Sequence, residues 1–338
     1  MASDIIKTFP FVLAAAFFLD MIVGDPTWLP HPVRFMGRLI SFFDGKFNNK
    51  GYNNKSNILK GAVTVLAVGF ITVIISALLL FVLFKISFWT GFLGEIIMST
   101  YCLAGKDLIR HAMNVYNSRY DIDQARASVG KIVGRDISNL NEQCVIKAAI
   151  ESVAESLNDG VIAPAFYMIL LGPIGGLLYK AVNTMDSMIG YHNEKYEYYG
   201  KPAARTDDIL NFIPSRLSAL FLIVASFILR MDCKGAFRVF RRDRNKHKSP
   251  NSAQTESAMA GALGLRLGGP STYAGVLVDK PYIGEADSHE ASYEDIKRAC
   301  RLMYSAALLG VISFLCVFWI VLLAVTGSAS AIFPFWRR

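Results

Sequence analysis

Two long runs without a charged residue constrain this chain more than any other feature. Residues 61–84 form a run of 24 uncharged residues, and residues 302–336 form a run of 35. About 20 mostly apolar residues are enough for a helix to cross the hydrocarbon core of a bilayer. The composition is 53% hydrophobic and only 18% charged. The sequence therefore predicts an all-α integral membrane protein.

Weaker apolar segments at residues 8–24, 86–105 and 160–179 bring the expected number of membrane segments to about five. A further stretch, 217–229, is too short unless residues 209–213 extend it. The segment at 160–179 is interrupted by Gly172-Pro173-Ile174-Gly175-Gly176, so we expect it to be re-entrant and to turn there. Irregular backbone at that depth needs shielding by protein or a polar cavity, which would place this segment beside the functional site.

The hydrophilic residues fall into four polar blocks within what we interpret as one membrane-embedded domain, because no internal repeat is visible. These blocks are residues 25–60, 106–159, 180–216 and 230–301. Each block contains Lys and Arg, so the positive-inside rule favours a cytoplasmic position in a multi-pass protein of the cell membrane. The dense basic run at 234–248 is expected to meet anionic headgroups, and we expect no nucleic-acid partner.

The sequence predicts neither a cleaved signal peptide nor a site built from cysteines. The apolar run after Lys7 shows no small-x-small cleavage site, so we expect it to stay in the mature protein. The five cysteines contain no C-x-x-C pair, so they predict neither a metal site nor a disulfide framework.

Ionisable residues concentrate beside the apolar segments, where they are costly unless they face a cavity or a partner. Asp20, Asp25, His31 and Arg34 lie within fifteen residues. This group fits either a hard cation with a bound anion or a plain salt bridge at a helix end. The residues alone leave both interpretations open.

Two pairs of ionisable residues four positions apart share a helix face: Asp107 with His111, and Glu151 with Glu155. The two glutamates repel each other unless a positive charge lies near them. Lys147 is the structural candidate for that charge, and Mg2+, with Asp159, is the functional one.

Further oxygen-rich clusters with flanking cations indicate a phosphate-handling site, because Mg2+ prefers hard oxygen ligands and usually arrives with substrate phosphates. These clusters and cations are Asn183, Asp186, Arg205, Asp207, Asp208, Asn211, Lys180, Arg135 and Arg216. The sequence contains no P-loop, no H-E-x-x-H and no G-x-S-x-G motif, which disfavours Walker-type ATP hydrolysis, zinc proteolysis and serine hydrolysis.

The order of several motifs resembles the adenosylcobinamide-phosphate synthases, the CobD/CbiB family of cobalamin (vitamin B12) biosynthesis, from about residue 20 to residue 284. The motifs are Asp20-x3-Gly24-Asp25-Pro26, His31-Pro32-Val33-Arg34, Gly134-Arg135-Asp136, Glu151-Ser152-x2-Glu155, Asn183-Thr184-x-Asp186-Ser187, Arg205-x-Asp207-Asp208-x2-Asn211, Ser249-Pro250-Asn251 and Ala260-Gly261-Ala262-Leu263-Gly264. Two positions depart from the family pattern: Ser156, where the family usually has Asn, and Ala253-Gln254-Thr255. A shifted preference for the amino alcohol is one reading of these departures.

The resemblance implies an ATP-dependent ligase that joins a carboxylate of adenosylcobyric acid to the amine of 1-aminopropan-2-ol O-phosphate or a related amino alcohol. ATP and Mg2+ would be needed, with the corrinoid as substrate and other corrinoid-pathway membrane enzymes as candidate partners. On this basis Mg2+ ligands are expected at Asp25, Asp186, Asp207 and Asp208. Substrate and phosphate contacts are expected at Arg34, Arg135, Lys180, Asn183, Arg205, Asn211, Arg216 and Asn251. The proton acceptor is expected to be Glu151, Glu155 or His31.

Two other classes stay open at this point. Charged membrane cavities are also transport routes, so a corrinoid or phosphometabolite transporter is the main alternative. Transporters commonly have repeated halves, and no repeat is visible here. A non-catalytic membrane sensor is the third class.

Overall fold

A computed structural model describes residues 6–25, 30–48, 54–273 and 275–326, and within them the chain is predominantly helical. The strands there are two or three residues long, so the predicted all-α class is confirmed. The helices are α1 (Phe9–Val23), α2 (Pro32–Phe47), α3 (Asn54–Ile86), α4 (Phe88–Thr100), α5 (Gly105–Asn117), α6 (Ile122–Val129), α7 (Glu142–Leu157), α8 (Ala163–Ile189), α9 (Lys201–Ile228), α10 (Cys233–Asp243), α11 (Ser252–Leu263) and α12 (Tyr293–Thr326), with a π-helical turn (Asn158–Ile162) between α7 and α8.

Four helical stretches are long and apolar enough to cross a membrane: α3, the stretch Glu142–Ile189, α9 and α12, with α1 as a shorter apolar helix. The exposed side chains of α3 include Leu66 and Phe70, which would face water at a high cost without lipid. The chain is therefore a multi-pass membrane protein.

Two of the weaker predicted segments take different lengths in the structure. The segment at 86–105 contains α4, whose 13 residues span about 20 Å, less than the roughly 30 Å hydrocarbon core. The short stretch 217–229 belongs, except for its last residue, to the 28-residue α9, so residues before Arg216 supply the missing length. The end of the run at 302–336, beyond Thr326, lies outside the described residues.

The predicted turn in the segment 160–179 is present inside α8. Gly172 has φ 65° and ψ −162°, a conformation that essentially only glycine adopts, and Pro173 follows it. Tyr167 and Tyr179 would be about 18 Å apart along a straight helix. Their rings instead stack with centroids 5.5 Å apart, so the chain folds back sharply between them. Re-entry into the bilayer at this turn stays a prediction.

The fold comprises two compact units. Unit 1 contains Met1–Leu103, Ala163–Leu210 and Val311–Arg338, and unit 2 contains Ala104–Ile162 and Asn211–Gly310. The interpretation of the whole chain as a single domain stays a prediction.

Unit 1 is built from apolar helices with small residues at their close approaches. Gly61 of α3 lies against the backbone carbonyl of Tyr199, where a side chain would collide. Thr8, just before α1, donates a 2.8 Å hydrogen bond to the carboxyl group of Glu95 in α4, and both side chains are buried. This bond satisfies the one acidic side chain of an apolar segment, where an unpartnered carboxyl group would be costly.

Unit 2 is organised around α11, in which every residue from Ala253 to Leu263 is buried. Its small side chains let α10 approach closely, with Gly261 against the carbonyl of Gly235. Short antiparallel strands follow α11: β1 (Leu267–Gly268) pairs with β4 (Tyr282–Ile283), and β2 (Ser271–Tyr273) pairs with β3 (Val276–Val278). These pairings bring residues 267–283 back towards α7 and α11.

The turn at Gly172 yields a stability prediction. Alanine at this position would adopt a strained backbone, and its Cβ would lie 2.6 Å from the ring of Phe9. We expect Gly172→Ala to lower the stability of detergent-purified protein by about 1–3 kcal/mol.

Gly45 provides the matched control, because it lies in exposed helical backbone with no atom within 4 Å of an added Cβ. We expect Gly45→Ala to leave the melting temperature unchanged or to raise it slightly. Equal melting temperatures for the two variants would show that Gly172 carries no conformational strain.

Candidate functional site

In unit 2, a buried ion pair joins the loop before α7 to that helix. Arg135 donates through Nη2 to Oε2 of Glu151, while the backbone N–H of Gly268 donates to Oε1 of the same carboxylate at 2.7 Å. Nη1 of Arg135 lies 3.3 Å from the hydroxyl of Ser271. Both oxygens of Glu151 are thus occupied, and its side chain holds the loop and the strand region against α7.

The charges of this pair stabilise each other. Burial acts to lower the pKa of Arg135, but the carboxylate of Glu151 outweighs burial and raises that pKa above its ordinary value. Arg135 is therefore the positive partner of Glu151, where the sequence had suggested Lys147 or Mg2+. Because its oxygens already accept two hydrogen bonds, Glu151 is a weaker candidate for proton acceptor than Glu155, which is exposed one turn further along α7.

Sequence reasoning missed Glu256, a buried carboxyl group on α11. Burial, together with the negative charges of Glu151 and Glu155, raises the pKa of Glu256 well above 4.5, against the opposing charges of Lys280 and Arg135. The site therefore favours the protonated form of Glu256. The signal in the sequence was an acidic residue alone in a run of small residues, 252–263.

His247 is the second missed residue. Its Nδ1 lies 3.7 Å from Oε1 of Glu256 and 3.1 Å from the hydroxyl of Ser252. Burial lowers the pKa of His247, and the charge of Lys280 acts in the same direction, so the neutral imidazole is favoured. We call the group Arg135, Glu151, Glu155, His247 and Glu256 the acid–base cluster.

A second set of polar side chains in unit 2 forms an amide network. Asn158, in the π-helical turn, donates to Oδ1 of Asn211 at 2.8 Å and accepts from the hydroxyl of Ser218 at 3.1 Å. The structure thus places the predicted Asn211 beside Asn158, which the sequence analysis did not single out.

The predicted residues Arg216 and Asn251 also come together in unit 2. Nη1 of Arg216 is 3.4 Å from Oδ1 of Asn251, which also accepts from Ser215 at 3.2 Å. The guanidinium lies 3.6 Å from the ring centroid of Phe212. Asn251 immediately precedes α11, the helix that carries Glu256, so the pair Arg216–Asn251 and the acid–base cluster are both connected to this helix.

The positions that depart from the family pattern differ in exposure. Ala253, Gln254 and Thr255 are all fully buried in α11, and Nε2 of Gln254 donates to the carbonyl of Pro250 at 2.9 Å. These three residues therefore act within the packing of α11. Ser156, by contrast, is half-buried on α7.

In unit 1, His31 and Asp25 form a pair with a defined orientation. Nδ1 of His31 accepts a 3.2 Å hydrogen bond from the backbone N–H of Val33 and so caps α2. An accepting Nδ1 carries no proton, so the neutral ring carries its proton on Nε2, which lies 3.3 Å from Asp25. Nδ1 is occupied by the helix cap, and in this tautomer Nε2 already carries the proton, although it makes no hydrogen bond within the described residues. The neutral ring thus has no open nitrogen to accept a proton, which makes His31 a weaker candidate for proton acceptor than Glu155.

The remaining predicted residues of unit 1 lie on α2, α8 and α9. Asn183 donates to Oδ1 of Asp207 across a 3.4 Å distance. The carboxylate of Asp186 occupies the space that a side chain at Gly190 would fill. Arg34 and Arg205 are exposed, whereas Lys180 and Asp208 are half-buried. Asp25 and Lys180 both act electrostatically on the thiol of Cys102, which places each of these charges near that residue.

The predicted Mg2+ ligands do not form a ready-made metal centre. In the part of the chain that the structure describes, no group of three or more His, Cys, Asp or Glu side chains is arranged to hold a metal ion. Mg2+ is often held by only one or two carboxylates, with water and substrate phosphates as its other ligands. The oxygen donors of Asp207 and Asn183, which are joined by a hydrogen bond, fit that kind of site.

The fold and these clusters define a multi-pass membrane protein whose polar parts hold paired acidic and basic side chains. The CobD/Cbib protein family matches residues 13–303 of the chain. The chain is 43% identical to the cobalamin biosynthesis protein CobD of Citrobacter koseri over 304 residues, 89% of this chain and 95% of that protein. It is 41% identical to CobD of Listeria monocytogenes over 306 residues, 90% and 96% of the two chains.

The cobalamin biosynthesis protein CbiB of Salmonella arizonae is also 41% identical over 302 residues, 89% of this chain and 94% of that protein. The chain belongs to the CobD/CbiB family, as its motifs predicted. No solved structure matches it.

The raised pKa of Glu256 yields a prediction about stability and pH. The folded pKa exceeds the unfolded value of about 4.5, so the stability from the protonated carboxyl group is fully present below pH 4.5. It is lost as the pH rises through the folded pKa. We therefore expect Glu256→Gln, which keeps the neutral shape, to melt at a temperature less sensitive to rising pH than the parent protein.

Melting temperatures in detergent, measured from about pH 5 to pH 8, would test this expectation. Glu142→Gln, at an exposed position on the same helix as Glu151, is the control and should reproduce the parent's pH dependence. A Glu256→Gln curve parallel to the parent curve would mean that Glu256 is ionised in the folded protein.

Proposed function

We propose that this protein is an adenosylcobinamide-phosphate synthase. It would join a propionate carboxylate of adenosylcobyric acid to the amine of 1-aminopropan-2-ol O-phosphate, or of a related amino alcohol, in an ATP-dependent ligation. The proposal is supported by membership of a family whose relatives are named cobalamin biosynthesis proteins. It is also supported by the exposed carboxylate of Glu155, which lies one turn from the ion pair of Glu151 with Arg135.

The chemistry requires activation of the carboxylate, because oxide is a poor leaving group. One carboxylate oxygen would attack the γ-phosphorus of ATP, which forms an acyl phosphate and releases ADP. The amine nitrogen would then attack the acyl carbon, and the C–O bond to phosphate would break. The amine loses one proton, so the products are the amide, inorganic phosphate and that proton.

Glu155 is the group we assign to accept this proton. It is exposed, while its neighbour Glu151 is paired with Arg135 and Glu256 favours the protonated form. Within the cluster, the carboxylate of Glu155 is thus the one positioned to meet a substrate. Glu151 is held by Arg135, and Glu256 favours its protonated form, so neither neighbour would compete with Glu155 for the proton of the amine.

Anionic groups of the substrates need cations and hard oxygen donors. We assign the phosphate contacts to the exposed Arg34 and Arg205, with Lys180, and the Mg2+ contacts to Asp207 and Asp208, with Asp25 and Asp186 as further ligands. When bound, Mg2+ would neutralise phosphate charge during transfer. In unit 2, Arg216 with Asn251, and Asn211 with Asn158, offer donors to a second polar substrate.

Cytoplasmic polar blocks would give the site access to ATP, and the bilayer would surround the apolar helices. The residues that replace the family pattern in α11 are buried, so we assign any altered preference for the amino alcohol to Ser156 rather than to Ala253–Thr255. Other membrane enzymes of the corrinoid pathway are the partners we propose.

Removing the carboxylate of Glu155 tests the proton acceptor. We expect Glu155→Ala to lower the rate of cobinamide phosphate formation by a factor of about 100 to 10,000, the usual contribution of a positioned base. The assay uses purified protein with adenosylcobyric acid, ATP, Mg2+ and the amino-alcohol phosphate. Glu142→Ala, an exposed glutamate on the same helix, should keep full activity. Full activity of Glu155→Ala would reject this assignment.

A variant at Asp207 tests the assignment of the Mg2+ ligands, independently of the proton acceptor. We expect Asp207→Ala to abolish product formation at ordinary Mg2+ concentrations and to restore part of it at high Mg2+, because the ion keeps its other ligands. Asp123→Ala, an exposed aspartate on α6, is the matched control. Loss of activity without any response to Mg2+ would remove Asp207 from the metal-binding set, and uptake of corrinoid without product would favour a transporter.

A further inference from the structure

Helix α10 presents a face that the proposed ligation does not use. Four residues at helical spacing, Lys234, Phe237, Arg238 and Arg241, are all exposed. Positions i, i+3, i+4 and i+7 lie within about 100° of one another around a helix. We call these four residues the basic face of α10.

The opposite side of α10 fixes the helix in unit 2. Gly235, Ala236, Val239 and Phe240 are buried. Asp243 is also buried and accepts hydrogen bonds from Arg242, at 2.7 and 2.8 Å, and from the backbone N–H of Gly284, at 2.9 Å. The basic face is therefore held in one orientation and does not result from a loosely attached helix.

Two of the three cations on this face, Lys234 and Arg241, are available to a partner outside the protein. Arg238 shares the carboxylate of Glu285 with Arg242, at 3.0 and 2.5 Å respectively. In the ranges that the structure describes, neither Lys234 nor Arg241 makes an ion pair. Phe237 is 52% exposed between them. An aromatic ring among cations is typical of helices that lie at a lipid interface.

The chain connection places this face close to the end of a membrane helix. α9 ends at Ile228 and α10 begins at Cys233. The connection is compact, because the N–H of Met231 donates to the carbonyl of Ser226 at 2.8 Å, with Arg230 in a left-handed conformation at φ 56°. Five Cα–Cα steps span at most about 19 Å, so α10 starts within reach of the headgroup layer.

From the charge, the exposed aromatic ring and the short connection, we propose that the basic face of α10 docks onto the anionic lipid headgroups of the leaflet where α9 ends. Phe237 enters the boundary between headgroups and acyl chains, and Lys234 and Arg241 lie over lipid phosphates. The docking anchors unit 2 at the membrane surface and is independent of the catalytic assignments.

The test uses Phe237→Trp in the full-length protein in lipid nanodiscs, either of phosphatidylcholine alone or with added phosphatidylglycerol, both with bromine on the upper acyl chains. We expect the added tryptophan fluorescence to be quenched strongly with phosphatidylglycerol and weakly without it. Tyr120→Trp, an exposed residue at the end of the loop after α5, should show no difference between the two lipids.

Neutralising the two unpaired cations should remove the effect. An anionic surface attracts each nearby cation about fivefold, so Lys234→Gln with Arg241→Gln should lower the ratio of docked to undocked helix roughly 25-fold. The charge-matched control, Arg110→Gln with Lys131→Gln, alters exposed residues away from α10 and should keep the quenching. Unchanged melting temperatures would show that both double variants are folded.

Three results would overturn the proposal. Equal quenching with and without phosphatidylglycerol would show that the headgroup charge is not recognised. Quenching abolished by millimolar inorganic phosphate at constant ionic strength would show that the face binds free phosphate instead of lipid. Binding of a labelled oligonucleotide with no lipid dependence would likewise assign the face to nucleic acid.

Discussion

The ion pair between Arg135 and Glu151 is the interaction on which the polar architecture of unit 2 depends. It joins the loop before α7 to the helix, and through Gly268 it also fixes the strand region that follows α11. A buried carboxylate without this partner would be destabilising by several kcal/mol. Glu155 lies exposed one turn further along α7, and burial, together with the charges of Glu151 and Glu155, raises the pKa of Glu256. The three carboxyl groups of the cluster therefore have three different environments.

The same requirement, that a buried polar group has a partner, governs the apolar helices. Glu95 would be costly in its apolar segment without the hydroxyl of Thr8. The backbone groups released at Gly172 and Pro173 belong to a turn whose two limbs pack together through Tyr167 and Tyr179. Close packing of small residues, as at Gly61, replaces the hydrophobic driving force that lipid does not supply.

The sequence predicted the features that depend on local pattern. Charge-free runs gave the membrane helices, and Gly172-Pro173 gave the turn, because both follow from length and backbone chemistry alone. Partners distant in the sequence could not be predicted. Lys147 and Mg2+ were the two candidates for the positive charge beside Glu151, but Arg135 fills that place, since contacts across a loop leave no helical spacing to detect. Glu256 was missed because its significance comes from burial in α11, and the capping role of His31 is likewise not visible in the sequence. The roles assigned to the site residues stay predictions.

The central claim is that the corrinoid carboxylate is activated by phosphoryl transfer before the amide forms. Its most direct test follows the carboxylate oxygens, using adenosylcobyric acid labelled with oxygen-18 in the reacting propionate and unlabelled ATP. Because the acyl phosphate loses its bridging oxygen with phosphate, the account predicts one labelled oxygen in the inorganic phosphate released per amide formed. Phosphate without label, or amide formation without nucleotide, would contradict it.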